Sequence, residues 1–72
     1  VDIKDFKVND FIEIINVELI ERGDETWENG DIVQVRDVDV DENRIDVWDK
    51  DKYSSEFIYN YELKGIRSNK KN

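Results

Sequence analysis

Asn29-Gly30-Asp31-Ile32-Val33-Gln34-Val35-Arg36-Asp37-Val38-Asp39-Val40 is the stretch that decides the fold. Asn29-Gly30 is a turn signal, because both residues tolerate the left-handed backbone that tight turns demand. The run after it alternates apolar and polar residues, as a strand with one buried face must. The apolar set then changes phase. Val33 and Val35 are odd-numbered, whereas Val38 and Val40 are even-numbered. A one-residue slip within a strand sends every later side chain to the other face, so the run predicts a β-bulge near Arg36-Asp37 and a sharp bend there.

The neighbouring segments extend the β reading in both directions. Downstream, Asp41-Glu42-Asn43 makes a turn, and Ile45 and Val47 alternate in a returning strand that ends at Trp48. Asp49-Lys50-Asp51-Lys52 is a charged connection, and Glu56-Phe57-Ile58-Tyr59 is a fourth strand. Asn60-Tyr61-Glu62-Leu63 reads as a short helical turn before a closing strand at Lys64-Gly65-Ile66. Upstream, Asn9-Asp10 turns the chain between Phe6-Lys7-Val8 and a strand over residues 11–17. A helix over 12–22 is the alternative, because Ile12, Ile15, Leu19 and Ile20 lie near helical spacing. β-Branched residues dominate that segment and no helix stop falls at a suitable place, which favours the strand. Residues 18–30 read as an irregular excursion with Trp27 folded back as an anchor. Residues 1–5 read as a flexible lead-in and 67–72 as a disordered basic tail.

Composition agrees with a single small domain. The 72 residues suffice for one thin core and leave no room for a deep cleft between layers. The apolar residues are mostly Ile, Val, Phe, Tyr and Trp, which suit a pleated, half-buried surface. The net charge is −8, from 19 acids against 11 bases. Lys64, Arg67, Lys70 and Lys71 all follow the last acid, Glu62, so residues 1–63 hold 19 acids and 7 bases, a charge of −12. Such a body repels nucleic acid and anionic membranes and attracts basic partners. The bland alternative is that the charge serves only solubility. There is no Cys, no apolar run long enough to span a membrane and no visible signal peptide. The absence of Met points to a removed initiator, and the expected location is cytoplasmic.

Three stretches resemble the SH3-like barrel superfamily. Glu25-Thr26-Trp27-Glu28-Asn29-Gly30-Asp31-Ile32-Val33-Gln34-Val35 is similar to the segment that leaves the acidic loop of SH3 domains. Phe6-Lys7-Val8-Asn9-Asp10-Phe11-Ile12-Glu13-Ile14 resembles the opening of small bacterial and phage SH3-like proteins, and Asn60-Tyr61-Glu62-Leu63-Lys64-Gly65-Ile66 the closing helical turn and last strand. The resemblance covers residues 6–66 and implies an all-β, five-stranded SH3-like barrel. It also implies a peptide-binding ledge, with Glu18, Glu21, Asp24, Glu25 and Glu28 as the acidic loop and Tyr61 as the closing-turn tyrosine. The ledge's tryptophan would fall at Arg44-Ile45 and its proline near Ile58. Neither is present, which argues against polyproline recognition.

Little in the chain can do chemistry. There is no His to move protons near neutral pH and no Cys nucleophile, and Thr26, Ser54, Ser55 and Ser68 have no evident base partner. The sequence therefore predicts a non-catalytic protein. Asp37-Val38-Asp39-Val40-Asp41-Glu42-Asn43 invites a calcium reading. It fails the EF-hand pattern at Glu42, where glycine is needed, at Arg44, and at Trp48, where a bidentate Glu must sit. In a strand, Asp37 and Asp39 stand about 7 Å apart on one face, too far to chelate one ion unaided. They read as solvated carboxylates, and no metal or other cofactor is expected.

Binding is what remains. The leading expectation is a standalone protein, plausibly phage-encoded, whose acidic face docks on a basic surface of a host protein and inhibits or modulates it. The candidate contact residues are Asp24, Glu25, Glu28, Asp37, Asp39, Asp41, Asp46, Asp49 and Asp51, with Trp48 and Tyr53 as apolar anchors. Trp27, Phe57 and one of Tyr59 and Tyr61 are expected in the core. A peptide-binding adaptor using the acidic loop and Tyr61 is the second reading. A weak nucleic-acid binder acting through residues 64–71 is the third.

Overall fold

The structure, a computed structural model, describes residues 2–20 and 27–69. Five strands form one antiparallel sheet: β1 (Phe11–Ile14), β2 (Ile32–Asp39), β3 (Arg44–Asp49), β4 (Ser54–Tyr59) and β5 (Ile66–Ser68). Their order across the sheet is β4-β3-β2-β1-β5, so β4 and β5 are its edges. The remaining elements are 3-10 turns at Ile3–Asp5, Val17–Leu19 and Asn60–Gly65. The fold is all-β, as the alternation predicts.

β2 carries the predicted bulge. Gln34 and Val35 pair with Trp48 and Val47, then the register shifts, and Asp37, Val38 and Asp39 pair with Asp46, Ile45 and Arg44. The extra residue, Arg36, lets Val33, Val35 and Val38 all turn toward the core despite their mixed parity. The hairpin turn after β2 closes at Asn43, whose φ is 59°, and the turn before β1 uses Asn9 at φ 81°. Asparagine accepts this conformation at low cost.

The core lines one face of the sheet. Ile12, Ile14, Val33, Val35, Ile45, Val47, Ile58 and Ile66 form one buried cluster with Ile3, Phe6, Ile20, Trp27 and Leu63 from the segments between strands. Trp27 is thus the anchor expected of it. The lead-in, in contrast, is part of the fold. Ile3 is fully buried, and Asp2 and Asp5 cap each other's backbone around the first 3-10 turn. Ile3 N–H also donates to Asn60 Oδ1 at 3.0 Å, tying the lead-in to the other end of the chain. A single apolar residue among charged ones carried no periodic signal, so the sequence underrated it.

Two boundaries move for one reason. Ile15 N–H and Asn16 N–H both donate to Gly65 C=O, at 2.8 and 3.1 Å, which turns the chain out of β1. The first strand therefore stops at Ile14 rather than reaching residue 17, and the last strand starts at Ile66 rather than residue 64. This crossing needs glycine at 65, since a Cβ there would lie 2.8 Å from Asn16 O. The expected basic tail is shortened in turn. Arg67 and Ser68 lie in β5, and Asn69 N–H donates to Phe11 C=O at 2.9 Å. Residues 70–72 lie outside the described residues.

Candidate interaction face

The strand alternation that buries Ile12, Val33 and Val47 turns their neighbours to the opposite, outer face of the sheet. Phe11, Gln34, Trp48 and Ser55 stand in one cross-strand row, through the pairs Phe11↔Gln34, Gln34↔Trp48 and Trp48↔Ser55. Ile32 lies beside them. Phe11 and Ile32 are both exposed, and Trp48 is half-buried. With Lys50 and Asp51 they line a shallow hollow of about 290 Å³. Tyr53 stands edge-on to Trp48, ring centroids 5.9 Å apart at 80°. The Arg36 guanidinium lies 5.1 Å from the centre of the Trp48 ring.

Tyr53 occupies a costly position. Its φ is 50°, which a bulky side chain adopts only against a penalty of about 1 kcal/mol or more. It is also 85% exposed, so its ring repays little of that cost through burial within the chain.

Below the bulge the same face turns acidic. Asp37 and Asp46 are directly opposed partners. Like charges in that relation repel. Asp46 accepts a hydrogen bond from the Ser55 hydroxyl at 3.0 Å, and no described cation lies within ion-pair distance of either carboxylate. The next row is compensated. Arg44 stands 4.0 Å from both Asp39 and Glu42, donates to Tyr59 Oη at 3.0 Å and lies 3.8 Å over the Phe57 ring. The bond to Tyr59 is the chief reason its pKa is raised, aided by the two acids against the effect of desolvation.

The remaining candidates divide by what already occupies them. Asp49 is a correction: it is 3% exposed, and its Oδ1 accepts from Asp51 N–H at 3.0 Å and Lys52 N–H at 3.3 Å. It caps the turn that presents Tyr53 and is unavailable to a partner. Asp41 and Asp51 are exposed in turns. Glu28 is exposed beside the Asp31–Lys52 ion pair, which closes at 2.8 Å. Burial raises the Asp31 pKa, but the hydrogen bonds from Lys52 and from Glu28 N–H, with the Lys52 charge, outweigh it and hold the carboxyl below its usual range. Asp24 and Glu25 lie outside the described residues. Tyr61 is 64% exposed and stacks on Tyr59 with centroids 5.9 Å apart, beside a second hollow of about 370 Å³ lined by Asn60, Leu63 and Lys64. Of the cations assigned to the tail reading, Arg67 pairs with Glu13 at 3.0 Å.

Phe57 is the second correction, exposed on the outer face at 39% instead of buried. Neither Tyr59 nor Tyr61 reaches the core. The sequence reading also missed Phe11, Ile32, Arg36 and Arg44 as face residues. The signal was present for the first two, since Ile12 and Val33 facing inward forces Phe11 and Ile32 outward.

Among the described residues, no group of three or more His, Cys, Asp or Glu side chains could hold a metal ion. No described helix is long and apolar enough to cross a membrane. No family of known proteins, no characterised protein and no solved structure matches the chain.

Proposed function

We propose that this chain is a non-catalytic protein-interaction module that docks the outer face of its sheet on a basic surface of a partner protein. One observation carries the reading: Phe11, Ile32, Trp48 and Tyr53 are presented together beside the opposed carboxylates Asp37 and Asp46, which have no described cation within ion-pair distance. Exposed aromatics supply the desolvated anchor of an interface. The acid pair supplies its polarity, because a Lys or Arg from a partner would relieve the repulsion that the free chain tolerates. The net charge of −8 steers such a partner inward. The partner is then inhibited or redirected by occlusion of its basic surface. A phage origin and a cytoplasmic setting belong to the same proposal.

The fold proposal is an SH3-like barrel. The strand order β4-β3-β2-β1-β5, the bulge that bends β2 and the 3-10 turn before β5 support it. A peptide-binding adaptor is the second reading, favoured by the exposed Tyr61 and the hollow beside it.

Affinity capture from nuclease-treated bacterial lysate, run over a salt series, tests the first reading. The wild-type chain should retain a basic protein that elutes as salt rises. The double variant Trp48→Ala, Tyr53→Ala should lose it, and Tyr61→Ala should keep it. Retention of the same protein by the double variant would rule the face out, and its loss only in Tyr61→Ala would favour the adaptor.

A further inference from the structure

Among the described residues, the edge of the sheet at β4 is guarded by one charge alone, Glu56, on the side of the strand that faces the core. β4 is six residues long and adjoins only β3 among the described strands. Unpaired edges are ordinarily protected by charged side chains, above all Lys or an inward-pointing charge, by Pro, by a bulge or by brevity. The chain has no Pro, β4 holds a single charge at Glu56, and its pairing with β3 runs without a register shift. The opposite edge, β5, has three residues and carries Arg67.

The backbone groups free on that edge follow from one hydrogen bond. Asn60 N–H donates to Asn43 C=O at 2.9 Å, which extends the β3–β4 register by one pair. Antiparallel ladders alternate hydrogen-bonded and non-bonded pairs. Residues 58, 56 and 54 therefore bond to β3, while Ser55, Phe57 and Tyr59 turn their N–H and C=O groups to the open side. Tyr59 N–H is taken by Glu62 Oε1 at 2.9 Å, which ends the free stretch. Ser55 and Phe57 remain, enough to receive a short strand.

We propose that this edge accepts an extended, basic segment of the partner as a sixth strand. The inference rests on the reading that the partner is basic, and it adds the mode of attachment. A second copy of the chain suits the edge poorly. With Ser55 and Phe57 the outward-facing residues left open among the described ones, two-fold pairing joins Ser55 to Phe57 of the copy and sets Glu56 directly opposite its own equivalent. Two bodies of −8 would meet across that repulsion. A Lys or Arg opposite Glu56 reverses the sign. Among the described residues Glu56 has no ion-pair partner within the fold. The outer neighbours of the added strand would be Ser55 and Phe57, with Asp46 one strand further on.

The test uses a set of blocked decapeptides that alternate Lys or Arg with Val, Ile, Thr or Tyr, titrated into the labelled chain and followed by NMR and amide exchange. At least one peptide should bind and protect the Ser55 and Phe57 amides. Ser55→Pro removes one outward N–H without touching the β3 ladder and should weaken binding about tenfold. Ser55→Ala loses the same hydroxyl, and with it the bond to Asp46, but keeps the N–H, so it should bind about tenfold more tightly than Ser55→Pro. Should Ser55→Pro not fold, the protection pattern in the wild-type chain decides. Equal affinity for both variants, or no binding by any peptide of the set, would overturn the edge proposal. Shifts confined to Phe11, Ile32 and Trp48 would overturn it while supporting the face. Retention of the basic protein by the Trp48→Ala, Tyr53→Ala variant in the lysate experiment would instead remove the face reading. Protection of Ser55 and Phe57 that grows with protein concentration, without peptide, would assign the edge to a second copy and equally overturn it.

Discussion

Tyr53 is the residue at which stability and binding part company. A tyrosine at φ 50° that stays 85% exposed contributes little to its own fold. Asparagine accepts the same backbone at lower cost. Tyr53→Asn should therefore raise the unfolding free energy by about 1 kcal/mol in a urea titration while weakening capture of the partner. A loss of stability would show that the ring is needed by the fold. Trp48 and Tyr53, named from the sequence as apolar anchors beside the charged connection, are half-buried and exposed respectively. It misjudged Asp49, since nothing in Asp49-Lys50-Asp51-Lys52 marks which carboxylate turns inward to cap the backbone. Phe57 was misread because aromatic character alone was taken for core, whereas Ile58 next to it holds the inward position.

At the scale of elements, the bulge was legible and the chain ends were not. A phase change in an alternating run is a local signal; Val33, Val35 and Val38 follow it to the core, whereas Val40, read as part of the same inward set, lies past the end of β2 and is exposed. The exit from β1 depends on a carbonyl fifty residues away, at Gly65, and no local pattern encodes that crossing. The same holds for the lead-in, whose order depends on Asn60. Ile3→Ala should cost about 2–5 kcal/mol, the range for truncating a fully buried isoleucine, and thermal or urea unfolding measures it. A negligible change would return residues 2–6 to the status of a loose lead-in.

For the molecule as a whole, the distribution of charge matters more than its sum. The outer face holds apolar residues at one end, the opposed acids Asp37 and Asp46 in the middle and an acid–arginine–aromatic cluster at the other. The cluster was hidden in the sequence because Arg44 and Phe57 are distant in the chain and meet only through the β3–β4 register. The acidity itself was plain, but its arrangement required the sheet. The most direct measurement is hydroxyl-radical footprinting of the chain free and bound to the basic protein that it captures. Protection of Phe11, Trp48 and Tyr53 on binding, with Tyr61 unchanged, is the predicted result. Protection confined to Tyr61 and Leu63, or none on the sheet's outer face, would contradict the account.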